Sequence, residues 1–447
     1  MNENSHIMEG YFDQIVQSVV DIIKIDSTKQ PAVAGCPFGQ GVADCLKHFL
    51  SLAESFGFET HNYDNYIGEV IFGEGEEFAI LAHLDVVPVG SGWKYPPFGG
   101  VINDDLSDGG VAGKKIWGRG TIDDKAPAIV SLYVLKALKD EGFTPKRKIK
   151  LIIGCNEESG WACIEHYKKV AHLPDEGFTP DADFPPIYAE KGIYHFHSLF
   201  SVETPPFTSL NAGVAANMVC PDAYAILTEK AENSLKNYQN PIPGTSFSYN
   251  EQTKELHVKG KSAHGSTPQF GANALQAMLA FFATLNADVK KAYEVLFEDC
   301  GKLKQLEDLS GALTMSPDVA IFKDGILDIL TDIRYPATMD ISVIENVLRA
   351  YNVKFFPDHC QAPIYNDPNG KLISTLVSVY NRATDRNEKP IAIGGGTYAR
   401  ALKCGCGFGP THITDESVAH QPNEYITFDC LQLISKVYYD AVKELTK

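Results

Sequence analysis

No segment of the sequence is apolar enough to span a bilayer. The most apolar stretches, such as 149–153 and 277–285, fall far short of the roughly 20 residues a membrane helix needs. The first eleven residues carry Glu3 and Glu9 and no basic segment leading into an apolar run, so no secretory signal is expected. Positive charge is scarce: 39 Lys and Arg stand against 57 Asp and Glu, a net charge of −18. Nucleic acid and anionic membrane surfaces both call for clustered Lys and Arg, so neither is an expected partner. Paired CxxC spacing is missing too. The ten cysteines are scattered, with Cys404 and Cys406 the closest pair. Free thiols in a reduced, cytoplasmic protein are the expectation. Internal repeats and low-complexity tracts are also absent.

What remains is an ordinary globular chain. It has 447 residues, 44% of them hydrophobic and 21% charged, which suggests two or three domains and a large core. Apolar positions Ile15, Val19, Ile22 and Ile23 recur at helical spacing, predicting a helix over 13–25, and a second is predicted over 41–56. A short apolar strand over 78–84 ends in His83-Leu84-Asp85. A helix over 129–138 follows the Gly118-Arg119-Gly120 turn, and a strand over 148–154 runs into Asn156-Glu157-Glu158. Strands alternating with helices predict an α/β domain with a mostly parallel sheet. The chemically interesting residues then fall at the C-terminal ends of strands, where such sheets place their sites.

The pattern changes after Gly192. Strands are predicted over 194–200, 256–260 and 326–335 and a helix over 273–285, which reads as an inserted α+β domain. A helix over 371–382, the Gly394-Gly395-Gly396 turn and a terminal helix over 428–444 return to the first pattern. The expected division is 1–192 and 365–447 for the two parts of a catalytic domain, with 193–364 inserted as a lid. Asn103 to Gly110 is rich in Asp but lacks the spacing and closing Glu of an EF-hand; a solvated turn between two strands is expected there.

Three motifs carry potential chemistry. On a strand, positions i and i+2 face the same way, so His83 and Asp85 share a face. Asp85 is therefore placed to help orient His83, directly or through a ligand network. Asp123 follows a glycine turn and precedes a helix; its two oxygens can bridge two cations, or it can serve only as a helix cap. Glu157 and Glu158 follow a buried strand, where paired ionisation needs a compensating positive charge. One can ligate while the other polarises water, or both can be solvated loop acids. Asp181, in a Pro-rich loop, and His420 add another carboxylate and another imidazole. Mixed His and carboxylate donors suit zinc, cobalt or manganese, and the lack of a ligating Cys argues against a structural zinc.

In order along the chain, His83-Leu84-Asp85-Val86-Val87-Pro88, Asp123-Asp124-Lys125, Glu157-Glu158, Asp181, Lys191-Gly192, Gly394-Gly395-Gly396-Thr397-Tyr398 and His420 resemble the co-catalytic zinc family of aminoacylases, carboxypeptidases and dipeptidases. Within it they resemble the PepV-like dipeptidases. The resemblance implies a zinc-exopeptidase-like α/β catalytic domain with an inserted α+β lid, and two divalent ions per subunit, zinc by expectation with cobalt or manganese as alternatives. It implies that Asp123 bridges the ions, that His83 and Asp181 complete one site, and that Glu158 and His420 complete the other. Glu157 is then the general base, and Asp123–Asp124 is expected to be cis. Lys261-Ser262-Ala263-His264-Gly265-Ser266 resembles the lid segment whose His approaches the scissile carbonyl. Asn217, Arg334 and Gly395 fall in contexts that imply substrate binding, the first two at the terminal carboxylate. Asn217 as a turn residue and Arg334 as a surface ion pair stay open as alternatives. Ala126 stands where the family commonly has Gly, and the hairpin over 101–115 is longer than usual.

The expected activity is hydrolysis of dipeptides by a water or hydroxide bridging two metal ions, with Glu157 moving the proton. An N-acyl-amino-acid deacylase using the same centre is the alternative enzyme. A non-catalytic metal- or peptide-binding protein is the alternative of another class. A small peptide is the expected partner, and a monomer or a homodimer fits equally.

Overall fold

The computed structural model describes residues 7–106, 112–351 and 353–447. Two compact units emerge. The first comprises residues up to Tyr188, Asn366–Ile391 and Thr397–Lys447; the second comprises Ala189–Tyr365 and Ala392–Gly396. Among the described residues, no helix is long and apolar enough to cross a membrane.

The first unit is organised by a twisted sheet. Its centre is four parallel strands in the order Arg147–Gly154, Glu76–His83, Glu176–Thr179 and Cys404–Gly407. Two antiparallel strands, Glu59–Tyr63 and Ile67–Phe72, extend one edge. The strand Glu76–His83 is buried from Phe78 onward, which is why it reads as an unbroken apolar run rather than an alternating one. Phe78, Ile80 and Ala82 enter the larger core, with residues of the helices Phe12–Ile23, Gln40–Ser55, Lys125–Asp140, Lys371–Thr384 and Phe428–Thr446. Ala79 and Leu81 enter a smaller core on the other face, with Cys163, Ile164, Tyr167 and Tyr398. Lys150 interrupts the apolar run of its strand. It survives burial because Nζ donates to the His172 carbonyl at 2.9 Å and pairs with Glu77 at 3.0 Å.

The expected helices and strands of this unit are present with small shifts at their ends. The helix expected from residue 129 starts earlier, at Lys125. The edge strands Glu59–Tyr63 and Ile67–Phe72 have no counterpart in the periodicity reading. Glu59–Tyr63 buries none of its side chains fully, so it carries little hydrophobic signal. Of the acidic stretch 103–110, residues 107–110 lie outside the described residues. Asp105 is bonded by Lys94 and Tyr95, and the strands Val101–Asn103 and Lys115–Trp117 pair antiparallel beside Tyr425–Thr427.

The second unit is built on an eight-stranded, wholly antiparallel sheet. The strand Gly192–Ser201 turns Tyr194, Phe196 and Phe200 into its core, as the alternation predicts. The helix Ala274–Ala283 starts at Asn273, whose side chain accepts the Gln276 N–H at 3.0 Å. Residues 392–396 group with this unit, although the chain on either side of them belongs to the first.

The parallel core of the first unit is closely packed at Gly177. A Cβ there would lie 2.2 Å from the Ala79 carbonyl oxygen in the neighbouring strand. Gly177→Ala is expected to lower unfolding stability by about 1–3 kcal/mol, the usual cost of overpacking. Urea denaturation followed by far-UV circular dichroism measures it, and an unchanged midpoint would contradict this packing.

Candidate metal centre

His83 is the last residue of the strand Glu76–His83, and its side chain is fully buried. The backbone N–H donates to Asp124 Oδ2 at 3.1 Å. Nδ1 lies 2.9 Å from the Asp85 carbonyl oxygen, which leaves Nε2 to face the cluster. The Asp85 carboxylate is 3.6 Å from Nδ1, but its stronger partners are elsewhere. It accepts the backbone N–H groups of Glu157 at 2.9 Å and Glu158 at 3.2 Å. Asp85 thus reaches His83 through its main chain and holds the Glu157–Glu158 turn through its side chain.

Gly120, at φ +87°, makes the turn that precedes Asp123; a Cβ there would meet Val86 at 2.9 Å. The Asp123–Asp124 peptide is cis. Asp124, not Asp123, occupies the N-cap of the helix Lys125–Asp140, and its side chain makes no capping bond. Asp123 points into the cluster instead. Its Oδ1 lies 3.0 Å from His83 Nε2 and its Oδ2 2.9 Å from His420 Nε2. Asp181 Oδ2 lies 3.4 Å from His83 Nε2, and Glu158 Oε1 lies 3.1 Å from His420 Nε2. Glu157 Oε1 accepts the Trp161 indole N–H at 3.0 Å. Donor atoms of His83, Asp123 and Glu158 lie within 4.8 Å of one another, and so do those of His83, Glu157 and Asp181.

The electrostatics follow from this crowding. Burial pushes Glu157 up to about 8, with Asp181 and Glu158 adding repulsion. Burial also raises Glu158, Asp181 and Asp124. Asp123 goes the other way: burial opposes its charge, but contacts with His420 and His83 hold it below the ordinary carboxylate range. Asp123 and Glu158 raise His420 to about 10. His83 is also raised, because its carboxylate neighbours outweigh its burial. The site therefore has a strongly negative potential. His83 Nε2 and Asp123 Oδ1 are buried 3.0 Å apart, yet neither has a hydrogen-bond partner among the described residues. Two orphaned buried atoms facing each other within a ring of carboxylates fit a divalent cation better than a proton.

Motif reading singled out neither Arg119 nor Glu424. Arg119 lies in the glycine turn and Glu424 four residues after His420, and both are buried. Their ion pair spans 2.7 Å. Glu424 Oε1 accepts the N–H groups of Ile122 at 2.9 Å and Asp123 at 3.4 Å, and burial pushes Glu424 up to about 7. The signal was a charged residue at the centre of a glycine turn, where a side chain must point somewhere.

The remaining expected site residues lie together in the second unit. Gly265 N–H donates to the Asn217 carbonyl at 2.7 Å, which joins the Asn217 and His264 segments. The Ser266 N–H donates to His264 Nδ1 at 3.2 Å, so the neutral ring carries its proton on Nε2. Desolvation, then the Arg334 charge, lowers the His264 pKa. Arg334 is buried, not a surface residue, and its Nε donates to both Asp332 oxygens at 2.9 and 3.0 Å. Gly394, beside Gly395, is so close to Ser266 that a Cβ would lie 3.0 Å from that side chain.

Residues 79–444 match Peptidase family M20/M25/M40, and the chain belongs to that family of peptide-bond hydrolases. It is 32% identical, over 99% of its own length and 98% of the relative's, to the Beta-Ala-Xaa dipeptidase of Lactobacillus delbrueckii subsp. lactis. Its fold is similar to that of human carnosine dipeptidase 1, with a TM-score of 0.59, 14% identity, and coverage of 99% and 98% of the two chains. It is also similar to the aminoacylhistidine dipeptidase of Vibrio alginolyticus, with a TM-score of 0.57, 14% identity and 96% coverage of each chain. These findings bear out the resemblance and the fold class read from the motifs.

Proposed function

We propose that the chain is a dinuclear metallo-dipeptidase in which His83, Asp181 and Asp123 hold one divalent ion and Asp123, Glu158 and His420 hold the other. One observation carries this reading: the two oxygens of Asp123 face two different imidazoles, at 3.0 and 2.9 Å. A carboxylate so placed suits a bridge between two cations. Zinc is the favoured metal for a mixed set of imidazole and carboxylate donors, with cobalt and manganese as alternatives. When bound, such ions supply Lewis acidity and make water a nucleophile near neutral pH.

The protein's own residues have separate tasks in this reading. Glu157 takes a proton from the attacking water and returns it to the leaving amine. Its carboxylate lies within 4.8 Å of the His83 and Asp181 donor atoms, which puts a base within reach of a water held at the centre. Asp85 fixes the backbone of Glu157 and Glu158 through its carboxylate. The second unit supplies recognition: Arg334 and Asn217 take the substrate's terminal carboxylate, His264 donates from Nε2 to the developing oxyanion, and Gly395 lies along the substrate. The dipeptidase names of the relatives support a short substrate with a free carboxylate. A deacylase would share the centre and differ in the amine-side pocket.

The reading is tested by turnover of a panel of dipeptides and N-acyl amino acids by the chelator-stripped enzyme reloaded with zinc, cobalt or manganese, with metal content measured alongside. Two ions per chain and preferred cleavage of dipeptides are expected; one ion at saturation would remove the dinuclear reading.

Glu157→Gln is expected to keep both ions and to lower kcat by ~10²-fold or more, the usual worth of a positioned base. Because the Glu157 carboxylate also lies within reach of His83 and Asp181, an emptied site would instead make Glu157 a ligand.

Arg334→Ala is expected to lower kcat/KM for a dipeptide by at least ~10-fold, the scale of a lost charge-assisted pair. The C-terminally amidated analogue should change far less. Equal losses on the two substrates would remove Arg334 from carboxylate recognition.

A further inference from the structure

We propose that Arg119 and Glu424 are a positioning pair that straps the His420 loop to Asp123 and thereby sets the affinity of the cation shared by Asp123, Glu158 and His420. This rests on the ligand roles proposed above. Neither side chain touches the reacting groups in that reading.

The two histidines of the centre are delivered differently. His83 ends a central strand with its side chain fully buried, so the sheet fixes it. His420 sits in a loop, its side chain half exposed and its φ at +64°. A non-glycine residue in the left-handed region persists where its surroundings over-determine it. The surroundings here are Arg119 and Glu424. Arg119 Nη1 donates to Glu424 Oε2 at 2.7 Å and to the Gln421 carbonyl at 3.3 Å. Nη2 donates to the His420 carbonyl, also at 3.3 Å. Glu424 Oε1 accepts the N–H groups of Ile122 and Asp123, and its own carbonyl accepts the Gly118 N–H at 2.9 Å. The guanidinium therefore grips the backbone carrying one proposed ligand, and the carboxylate grips the backbone carrying another.

A buried ion pair is a weak source of stability, because desolvation offsets its attraction. Arg119 Nε has no hydrogen-bond partner among the described residues, and the pair's other side-chain hydrogen bonds all go to the main chain at residues 122, 123, 420 and 421, which is a matter of geometry. Lysine keeps the charge but lacks the fork that reaches two carbonyls and a carboxylate at once. Outer partners of metal ligands commonly matter through affinity.

The test is a Co²⁺ titration of the chelator-stripped full chain, followed by calorimetry and by visible absorption of the bound cobalt. Wild type, His420→Ala, Arg119→Lys, Glu424→Gln and the apolar double variant Arg119→Met/Glu424→Leu are compared, with the thermal midpoint of each metal-free protein. The double variant removes both charges together, so no unpaired charge is left buried. Arg119→Lys and the double variant are expected to weaken one of two cobalt steps by ~10–100-fold and leave the other within about threefold. The metal-free midpoint should stay near wild type in at least the double variant, and excess cobalt should restore dipeptide turnover by Arg119→Lys. Two unaltered steps in these variants, while His420→Ala loses one, would overturn the strap and leave the ligand assignment standing. Equal weakening of both steps together with a lowered midpoint would also overturn it, by making the pair a general structural element. Unaltered binding by His420→Ala would overturn the ligand assignment itself, and the strap with it.

Discussion

The first unit is arranged around negative charge that its own side chains cannot neutralise. Asp85, Asp123, Asp181, Glu157 and Glu158 converge on two imidazoles at the ends of the parallel strands. Burial makes every carboxylate there costly to ionise. The consequences are visible in directions of shift: burial drives Glu157, Glu158 and Asp181 up, and the carboxylate neighbours raise both histidines. A folded domain tolerates such a cluster when something positive compensates it, and His83 Nε2 and Asp123 Oδ1 lie buried there without a hydrogen-bond partner.

The scaffold meets that demand at two levels of stiffness. His83 and the Glu157 turn grow directly from adjacent parallel strands, Glu76–His83 and Arg147–Gly154. The Asp85 carboxylate crosses from one to the other and ties them. Asp123 and His420 come from loops, far apart in sequence, and meet through the buried Arg119–Glu424 pair. The sheet thus holds His83 and the Glu157 turn without a further device, whereas Asp123 and His420 are joined by a buried ion pair.

The second unit collects its residues by a comparable local logic. The Ser266 N–H bond to His264 and the two hydrogen bonds from Arg334 to Asp332 orient two side chains, and main-chain pairing joins the Asn217 and His264 segments. Asp332 also lies where a side chain at residue 265 would sit, 2.0 Å from the Cβ position. Gly265 is therefore required by the same carboxylate that holds Arg334.

Much of this was legible in the chain. The apolar run before His83 and the amphipathic helices carry strong periodicity, and hydrophobic burial acts on them locally and repetitively. The edge strand Glu59–Tyr63 was illegible because pairing, not burial, makes it a strand. His83, Asp123, Glu158, Asp181 and His420 stood out because their residue types are those of metal ligands and their motifs occur in a known order. The sequence by itself determined which donors exist and on which kinds of element they lie. Only the tertiary structure decided that Asp123 faces both imidazoles, that the Asp85 carboxylate accepts the Glu157 and Glu158 N–H groups, and that Arg119 meets Glu424. These are contacts between residues up to 305 positions apart, set by strand order and loop path, and no local pattern encodes a distance of that kind.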